Sequence, residues 1–357
     1  HLNPGDIVLS KIGTIGRLSV ISEDLGEVNI SENNIGIRLS NLTDKQRAFI
    51  LIFLLSKFGQ KQILRKGSGN VQQKLNVSDI ELIILPNFED GIVDENYELF
   101  TSSTSHREKS IKSYQEAENL LLEELGLKNF KIPENSSYIV NYSDTEKVNR
   151  VDADYFQPKY QRLLEKISFK KTQPLSNFVK DYSTGYPFKS ENYRESGIPL
   201  IRINNIKKGS LDLSDTAYLT NEDYLSSPKD VAKTGDIVLS MSGTIGMTTL
   251  IPPNIPVCSI NQRILKFTPR IIDPEYLVLL LNSIVGKFQL ERVGTGGVQT
   301  NISYKDIQNI LIPILSKEIQ AKIADLVKKS HEARKKSKEL LEEAKRKVEE
   351  MIEKGGN

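Results

Sequence analysis

Catalysis at neutral pH asks for a nucleophile beside its base, a loop that cradles phosphate, or a metal cage, and this sequence holds only fragments of each. Ser105-His106 and Ser330-His331 set a hydroxyl next to an imidazole, but both pairs open charged helical stretches. There a capping or surface role is the simpler reading. GTIG, at Gly13–Gly16 and again at Gly243–Gly246, lacks the G-x-x-x-x-G-K-S/T spacing of a phosphate loop. The D/N-P-P-Y/F and F-x-G-x-G stretches of adenine-methylating enzymes are absent; Pro252-Pro253 lies in I-P-P-N without the aromatic. One cysteine, Cys258, and three scattered histidines give no metal-ligand spacing and no internal disulfide. The expectation is therefore no catalytic residue and no metal. What remains are glycine-rich loops carrying hydroxyl, amide and basic side chains, groups suited to recognition by hydrogen bonding.

Those loops recur. GDIVLSKIGTIG (Gly5–Gly16) returns as GDIVLSMSGTIG (Gly235–Gly246), an offset of 235 − 5 = 230. GSGNVQQKLNVSDIELIILP (Gly67–Pro86) returns as GTGGVQTNISYKDIQNILIP (Gly294–Pro313), offset by 294 − 67 = 227. So long a period marks a duplicated domain rather than a solenoid. Each GDIVLS alternates as a short strand, with GTIG as a turn and Leu18–Ile21 resuming as strand. A helix is expected over Asp44–Leu64, capped at Thr43-Asp44, and its counterpart over Pro274–Val293, with proline in the first turn. A capped turn at Ser78-Asp79 and a strand Leu82–Leu85 complete the first copy. The second copy has about 80 residues, Arg150 to about Thr234, with no counterpart ahead of the first. This predicts that the chain is a shortened form of a longer protein.

Behind each copy comes a charged helix. In the last one, Ile319, Ile323, Leu326, Ser330, Ala333, Ser337, Leu340, Ala344 and Met351 follow a 4,3 alternation broken only at Lys347, a heptad seam. Ile111, Tyr114, Leu121, Leu122 and Leu125 match it at an offset of 226. Ile319, Ile323, Leu326 and Leu340 are expected to pair with Ile111, Leu121 and Leu125, with Tyr114 on the same seam. A helix of this length, about 55 Å at 1.5 Å per residue, compares with one and a half turns of duplex at ~34–36 Å per turn. The 357 residues, 38% hydrophobic, 26% charged and +2 in net charge, suit two ordinary cores and exclude a protein that coats polyanions by bulk charge. The longest apolar run, Phe49–Leu55, is too short for a bilayer. A cytoplasmic protein is expected.

Five features in order carry a family resemblance: GDIVLS…GTIG; G-S/T-G-x-V-Q followed by a strand ending I-L-P or L-I-P; YQEAENLLLEELGL (Tyr114–Leu127); RVDADYFQPKY (Arg150–Tyr160); and GIPLIRINNI (Gly197–Ile206). The chain resembles the DNA-specificity subunit of type I restriction-modification enzymes, a phage-defence system. The resemblance implies a non-catalytic subunit of α/β class, with two duplicated target-recognition domains, each a mixed sheet plus helices, separated by two long antiparallel coiled-coil helices. It implies a first recognition domain over 1–95 (C-terminal part only), a central helix over 96–128, a linker over 129–149, a second domain over 150–315 and a C-terminal helix over 316–357. Implied partners are double-stranded DNA, two methyltransferase subunits that use S-adenosylmethionine, and restriction/translocase subunits, with no membrane and no cofactor in this chain itself. The alternatives are the recognition portion of a fused restriction-modification enzyme and a protein-binding coiled-coil adaptor.

If DNA is the ligand, backbone amides near glycine approach phosphates, while Gln, Asn, Arg and Lys pair with base edges. In the second domain the candidates are Gly185, Tyr186, Lys189, Arg202, Asn204, Ser242, Thr244, Gln262, Arg263, Thr295, Gln299 and Asn301. In the first they are Lys11, Thr14, Asn33, Lys66, Ser68 and Gln72. Gly13, Gly16, Gly243 and Gly246 are expected to serve the turns themselves, since both copies keep them. Positions that differ between copies, such as Lys11-Ile12 against Met241-Ser242, are expected to set specificity.

Overall fold

In both copies GDIVLS folds by the same local rules. Gly5 and Gly235 each have a φ of +87°, a conformation that side chains with a Cβ rarely take, and the following aspartate ties down the incoming chain. Asp6 accepts the backbone N–H of Asn3 at 2.9 Å, and Asp236 that of Lys233 at 2.8 Å. The strand that follows, Ile7–Ser10 or Ile237–Ser240, is the centre of an antiparallel sheet. Ile7 faces Val20 and Ile37; Ile237 faces Leu250 and Phe267. These registers agree at the offset of 230 seen in sequence. The computed structural model describes residues 1–67, 74–87, 90–132, 137–294 and 301–355.

The chain divides into two compact units, His1–Ser110 with Glu332–Asn357, and Ile111–His331. Both are mixed α/β. In the second, the sheet gains a fourth strand, Val179–Ser183, against Ile264–Pro269. A further four-stranded sheet runs Val231–Lys233, Val257–Ile260, Ile198–Ile201, Ala217–Leu219, its middle pair parallel. The core centres on Tyr276, fully buried, whose hydroxyl donates to the Pro313 carbonyl at 2.8 Å. The core of the first unit gathers Ile7, Leu9, Phe49 and Phe53 with Ala344 and Val348 from the C-terminal helix.

Each expected helix after the sheet is two helices. Asp44–Leu55 and Lys57–Lys66 meet at Ser56; Pro274–Asn282 and Ile284–Val293 meet at Ser283. The serine hydroxyl donates back to the carbonyl three residues earlier, Phe53 at 2.6 Å and Leu280 at 2.7 Å, and caps the next helix. A glycine three residues on permits the sharp return: a Cβ at Gly59 would lie 2.3 Å from the Phe53 carbonyl oxygen, and at Gly286 2.2 Å from that of Leu281. At the helix start Thr43 is the cap, in a reciprocal box with Gln46.

Two expectations fail in the first copy for nameable reasons. The capped turn is a short helix, Val77–Glu81, whose cap is Asn76 rather than Ser78. Leu82–Leu85 is not a strand; Leu82 and Ile84 are 66% and 77% exposed. Its counterpart Leu311–Pro313 is a strand because it pairs with Thr172–Pro174, whereas Leu82–Leu85 has no partner strand among the described residues.

The long helices span Asp90–Glu124 and Lys317–Lys354. Within the first unit they run antiparallel: Lys347 pairs with Glu95, and ten residues earlier on the C-terminal helix Ser337 meets Ser103, whose hydroxyl donates to the Ser337 carbonyl at 2.8 Å. Asn96, Ser103, Ser110 and Ala117 are buried at intervals of seven, so small residues bring the backbones close. Leu121, Leu125, Ile323 and Leu340 of the expected seam are buried, while Tyr114, Ile319 and Leu326 are half-buried. Ile111 is 46% exposed, and it is Ser110 that points inward. Val327 and Val348, one residue beyond Leu326 and Lys347, hold the buried positions, because a straight helix drifts against a strict seven-residue count. Among the described residues no helix is long and apolar enough to cross a membrane.

Candidate nucleic-acid interface

The GTIG loop is a stapled turn. Ser10 Oγ donates to the Thr14 carbonyl at 2.6 Å and accepts the Arg17 N–H at 2.9 Å. Ser240 Oγ does the same with Thr244 (2.6 Å) and Met247 (3.0 Å). Both glycines of each loop have positive φ, 78° and 85° in the first copy, 68° and 82° in the second. The loop is architecture, and it delivers the end of the central strand to the surface.

Beyond that end the chain builds a three-ply ribbon. In the second copy the Met241 N–H donates to the Arg263 carbonyl at 2.9 Å, and its carbonyl accepts the Ile302 N–H at 3.0 Å; Ser242 bridges Asn301. In the first, the Lys11 N–H donates to the Asn33 carbonyl at 2.9 Å and its carbonyl accepts the Leu75 N–H at 3.0 Å; Ile12 bridges Lys74. The second unit adds a fourth ply. Tyr186 bridges Asn261, its N–H donates to the Ile260 carbonyl, and its own carbonyl accepts the Gln262 N–H at 3.0 Å. Gly185 makes this approach possible, since a Cβ there would lie 1.9 Å from the Asn261 carbonyl oxygen.

Loops far apart in sequence thus place Gly185, Tyr186, Gln262, Arg263, Ser242 and Asn301 along one edge. Tyr186, 42% exposed, packs edge-on against Phe188, and Lys189 is exposed one residue further on. Arg263 Nη1 donates to Asn301 Oδ1 at 2.9 Å. Arg202 follows Ile198–Ile201 as Asn261 follows the parallel neighbour Val257–Ile260. Its guanidinium lies over the Tyr193 ring, 5.6 Å from the centroid, and that tyrosine's hydroxyl accepts from Asn261. Arg202 and Asn204 are both engaged by Asp215, so they shape this loop as well as facing outward. Thr244 is exposed at the stapled turn, on a cleft it shares with Arg150, Asp152 and Lys208.

In the first unit, Asn33 and Thr14 are exposed, Lys11 is half-buried, and Lys66 ends the helix Lys57–Lys66 beside Arg65. Ser68, Gln72, Thr295 and Gln299 lie outside the described residues. Met241 and Ser242, expected to set specificity, are only 4% and 5% exposed, because the middle ply is covered by both neighbours. Lys74, exposed at the ribbon's edge, is a residue the sequence reading missed; its only signal is its alignment with Asn301, 301 − 74 = 227.

RVDADYF anchors the segment that leads into the site. Arg150 meets the Asp152 carboxylate through two bonds of 2.8 and 2.7 Å, which raises the guanidinium's pKa and holds the carboxyl below its usual range. Its Nη1 donates to the Val293 carbonyl, and Nη2, besides Asp152, donates to that of Gly294, at the end of the helix Ile284–Val293. Arg150 and Arg292 each lie over the Tyr155 ring, 4.6 and 4.5 Å from its centroid. Among the described residues no group of three or more His, Cys, Asp or Glu could hold a metal.

Residues 179–346 match the family model for the type I restriction modification DNA specificity domain. Over those residues, just under half of the chain, the chain is similar to that family. The resemblance carried by the sequence motifs is borne out. Among curated relatives, the chain is 31% identical over 185 residues to the type I restriction enzyme MjaVIII specificity subunit of Methanocaldococcus jannaschii, a match covering 49% of this chain and 43% of that one. It is 28% identical over 131 residues to the EcoBI specificity subunit of Escherichia coli, covering 36% and 27%. The chain spans less than half the length of either. A crystal structure of a type I restriction-modification S subunit from M. genitalium aligns over 98% of this chain and 83% of that one, with 16% identity and a TM-score of 0.42.

Proposed function

We propose that the chain is the non-catalytic DNA-specificity subunit of a type I restriction-modification complex. Each recognition domain reads one half of a bipartite target in double-stranded DNA. The two long helices set the spacer between half-sites and dock two methyltransferase subunits, which use S-adenosylmethionine; restriction/translocase subunits join to cut unmodified DNA. The observation that carries this reading is the ribbon built twice on one hydrogen-bond plan, with different exposed side chains on each copy. Duplex DNA is a regular ladder of donors and acceptors, and two differing readers on a helical spacer suit an interrupted, asymmetric sequence.

The test is adenine-methylation mapping in cells that make the cognate methyltransferase, with and without this chain. An interrupted asymmetric motif that appears only with the chain present supports the reading. An intact complex on a sizing column with no motif replaces it with a protein-binding adaptor.

A further inference from the structure

The two ribbons carry the same pair of residue types in opposite order. Aligned at the offset of 230, Asn33 of the first copy stands where Arg263 stands in the second; aligned at 227, Lys74 stands where Asn301 stands. Asn33 and Arg263 each offer a carbonyl to the middle residue, Lys11 or Met241, at 2.9 Å. Lys74 and Asn301 each form the bridge on the other side, to Ile12 and Ser242. Each frame therefore presents one basic side chain and one asparagine amide, on opposite plies in the two domains.

We propose that the two plies flanking the central one, Asn33 with Lys74 and Arg263 with Asn301, are the positions at which each domain selects base pairs, the same two chemistries being offered in reversed order. This rests on the specificity-subunit reading and names the residues that execute it. A basic side chain matches the O6 and N7 acceptors of guanine, and asparagine the N6 donor and N7 acceptor of adenine. Their burial agrees with such a role: Arg263, Asn33 and Lys74 are exposed and Asn301 is half-exposed, whereas Met241 and Ser242 between them are covered. The contact from Arg263 Nη1 to Asn301 Oδ1 couples the two plies, fixing the guanidinium's orientation and leaving its other edge for a base.

A second observation comes from the backbone. Among the described residues other than glycine, positive φ occurs only at Asn149, Arg263 and Ile271, and Arg263 sits at 68°. An arginine is a poor occupant of that region. Such strain is retained where a side chain must be aimed.

The deciding experiment exchanges the pair in the second copy, Arg263→Asn with Asn301→Lys, in the full chain with its cognate methyltransferase, and maps methylated adenines. The expected result is an altered preference, by about 5- to 150-fold at the affected base pairs, confined to one half-site, with the other half and the spacer unchanged. An identical motif overturns the proposal. If the double variant methylates nothing, Arg263→Lys, which keeps the charge and loses the two-pronged donor, is mapped instead. It is expected to relax one base position, and unchanged stringency there overturns the proposal. Absence of any motif with the unaltered chain brings down the specificity-subunit reading itself, and this inference with it.

Discussion

Glu275 sets a pH dependence on the second unit that one substitution should remove. It lies in the first turn of the helix Pro274–Asn282, whose cap Asp273 accepts the Glu275 and Tyr276 N–H groups. Glu275 is half-buried, and its Oε2 has no hydrogen-bond partner among the described residues. Burial, and then the neighbouring Asp273 charge, push its carboxyl from 4.5 up to about 7, against a smaller opposite pull from Lys328. The folded state therefore binds a proton that the unfolded chain has released between pH 4.5 and about 7, and stability falls as pH rises through that window. A displacement of this size corresponds to about 3 kcal/mol; partial exposure of the group lowers the expectation to about 2–3 kcal/mol. Glu275→Gln, which has no charge to desolvate, should raise the unfolding temperature by about 4–10 °C at pH 8. The gain should shrink to about 1 kcal/mol near pH 5.5 and vanish by pH 4. Thermal unfolding of both proteins across that range is the assay. A gain that is equal at pH 8 and pH 4, or absent at pH 8, would refute the assignment of a buried, charge-averse carboxylate.

Four further outcomes are open to measurement. Gly286→Ala places a Cβ 2.2 Å from the Leu281 carbonyl oxygen and should cost about 3 kcal/mol or more in urea unfolding. Gly243→Ala, with nothing within 4 Å but a φ of +68°, should cost only about 1 kcal/mol; equal costs would mean that the return between the paired helices is not sterically required. Arg263→Gly relieves a positive φ on an exposed turn, so unfolding should stay within about 0.5 kcal/mol of the parent while methylation loses its preference in one half-site; a large loss of stability would make Arg263 a structural residue. Leu340→Asp, at a position only 8% exposed, should cost about 2–4 kcal/mol in the first unit. A clean heptad inserted in both long helices should lengthen the tolerated gap between half-sites by about 10 Å, or roughly three base pairs, and an unchanged gap would sink the spacer role.

The parts of the fold legible in the sequence are those fixed by local chemistry. Gly5, Gly13 and Gly16 and their counterparts answer a steric rule that any reader can apply, and the same holds for Thr43 at its helix start. The break at Ser56 was hidden because buried apolar residues run without interruption to Leu54, and periodicity alone continues the helix. The S-x-x-G spacing of Ser56-Gly59 and Ser283-Gly286, kept in both copies, was the available signal. Leu82–Leu85 failed because a strand exists only with its partner, and even for its counterpart Leu311–Pro313 that partner, Thr172–Pro174, is remote in sequence. The heptad count slipped by one at Leu326 and Lys347, where Val327 and Val348 are the buried residues. At the site, residue type and glycine context found the loops, and six of their named members, Gly185, Tyr186, Ser242, Gln262, Arg263 and Asn301, converge on one edge. Which member of each loop faces outward was not readable: Met241 and Ser242 are buried by a ribbon formed from three separate segments, and Lys74 is one lysine among many until that ribbon is assembled.

Duplication exposes a division of labour that free energy explains. The Ser10 and Ser240 staples repeat to within 0.1 Å, as do the aspartate clasps at Asp6 and Asp236. Losing one of these groups leaves partly buried backbone donors or acceptors unpaired, at about 1–3 kcal/mol each, out of a total stability of about 5–15 kcal/mol. Both copies are therefore held to the same residues there. At positions open to solvent the cost of change is small, about 0.5 kcal/mol, so Asn33 and Arg263, or Lys74 and Asn301, can differ at little cost to the fold. A scaffold that must present different surfaces from one frame can vary only where variation is nearly neutral to stability, and in both units the plies flanking the central one meet that condition.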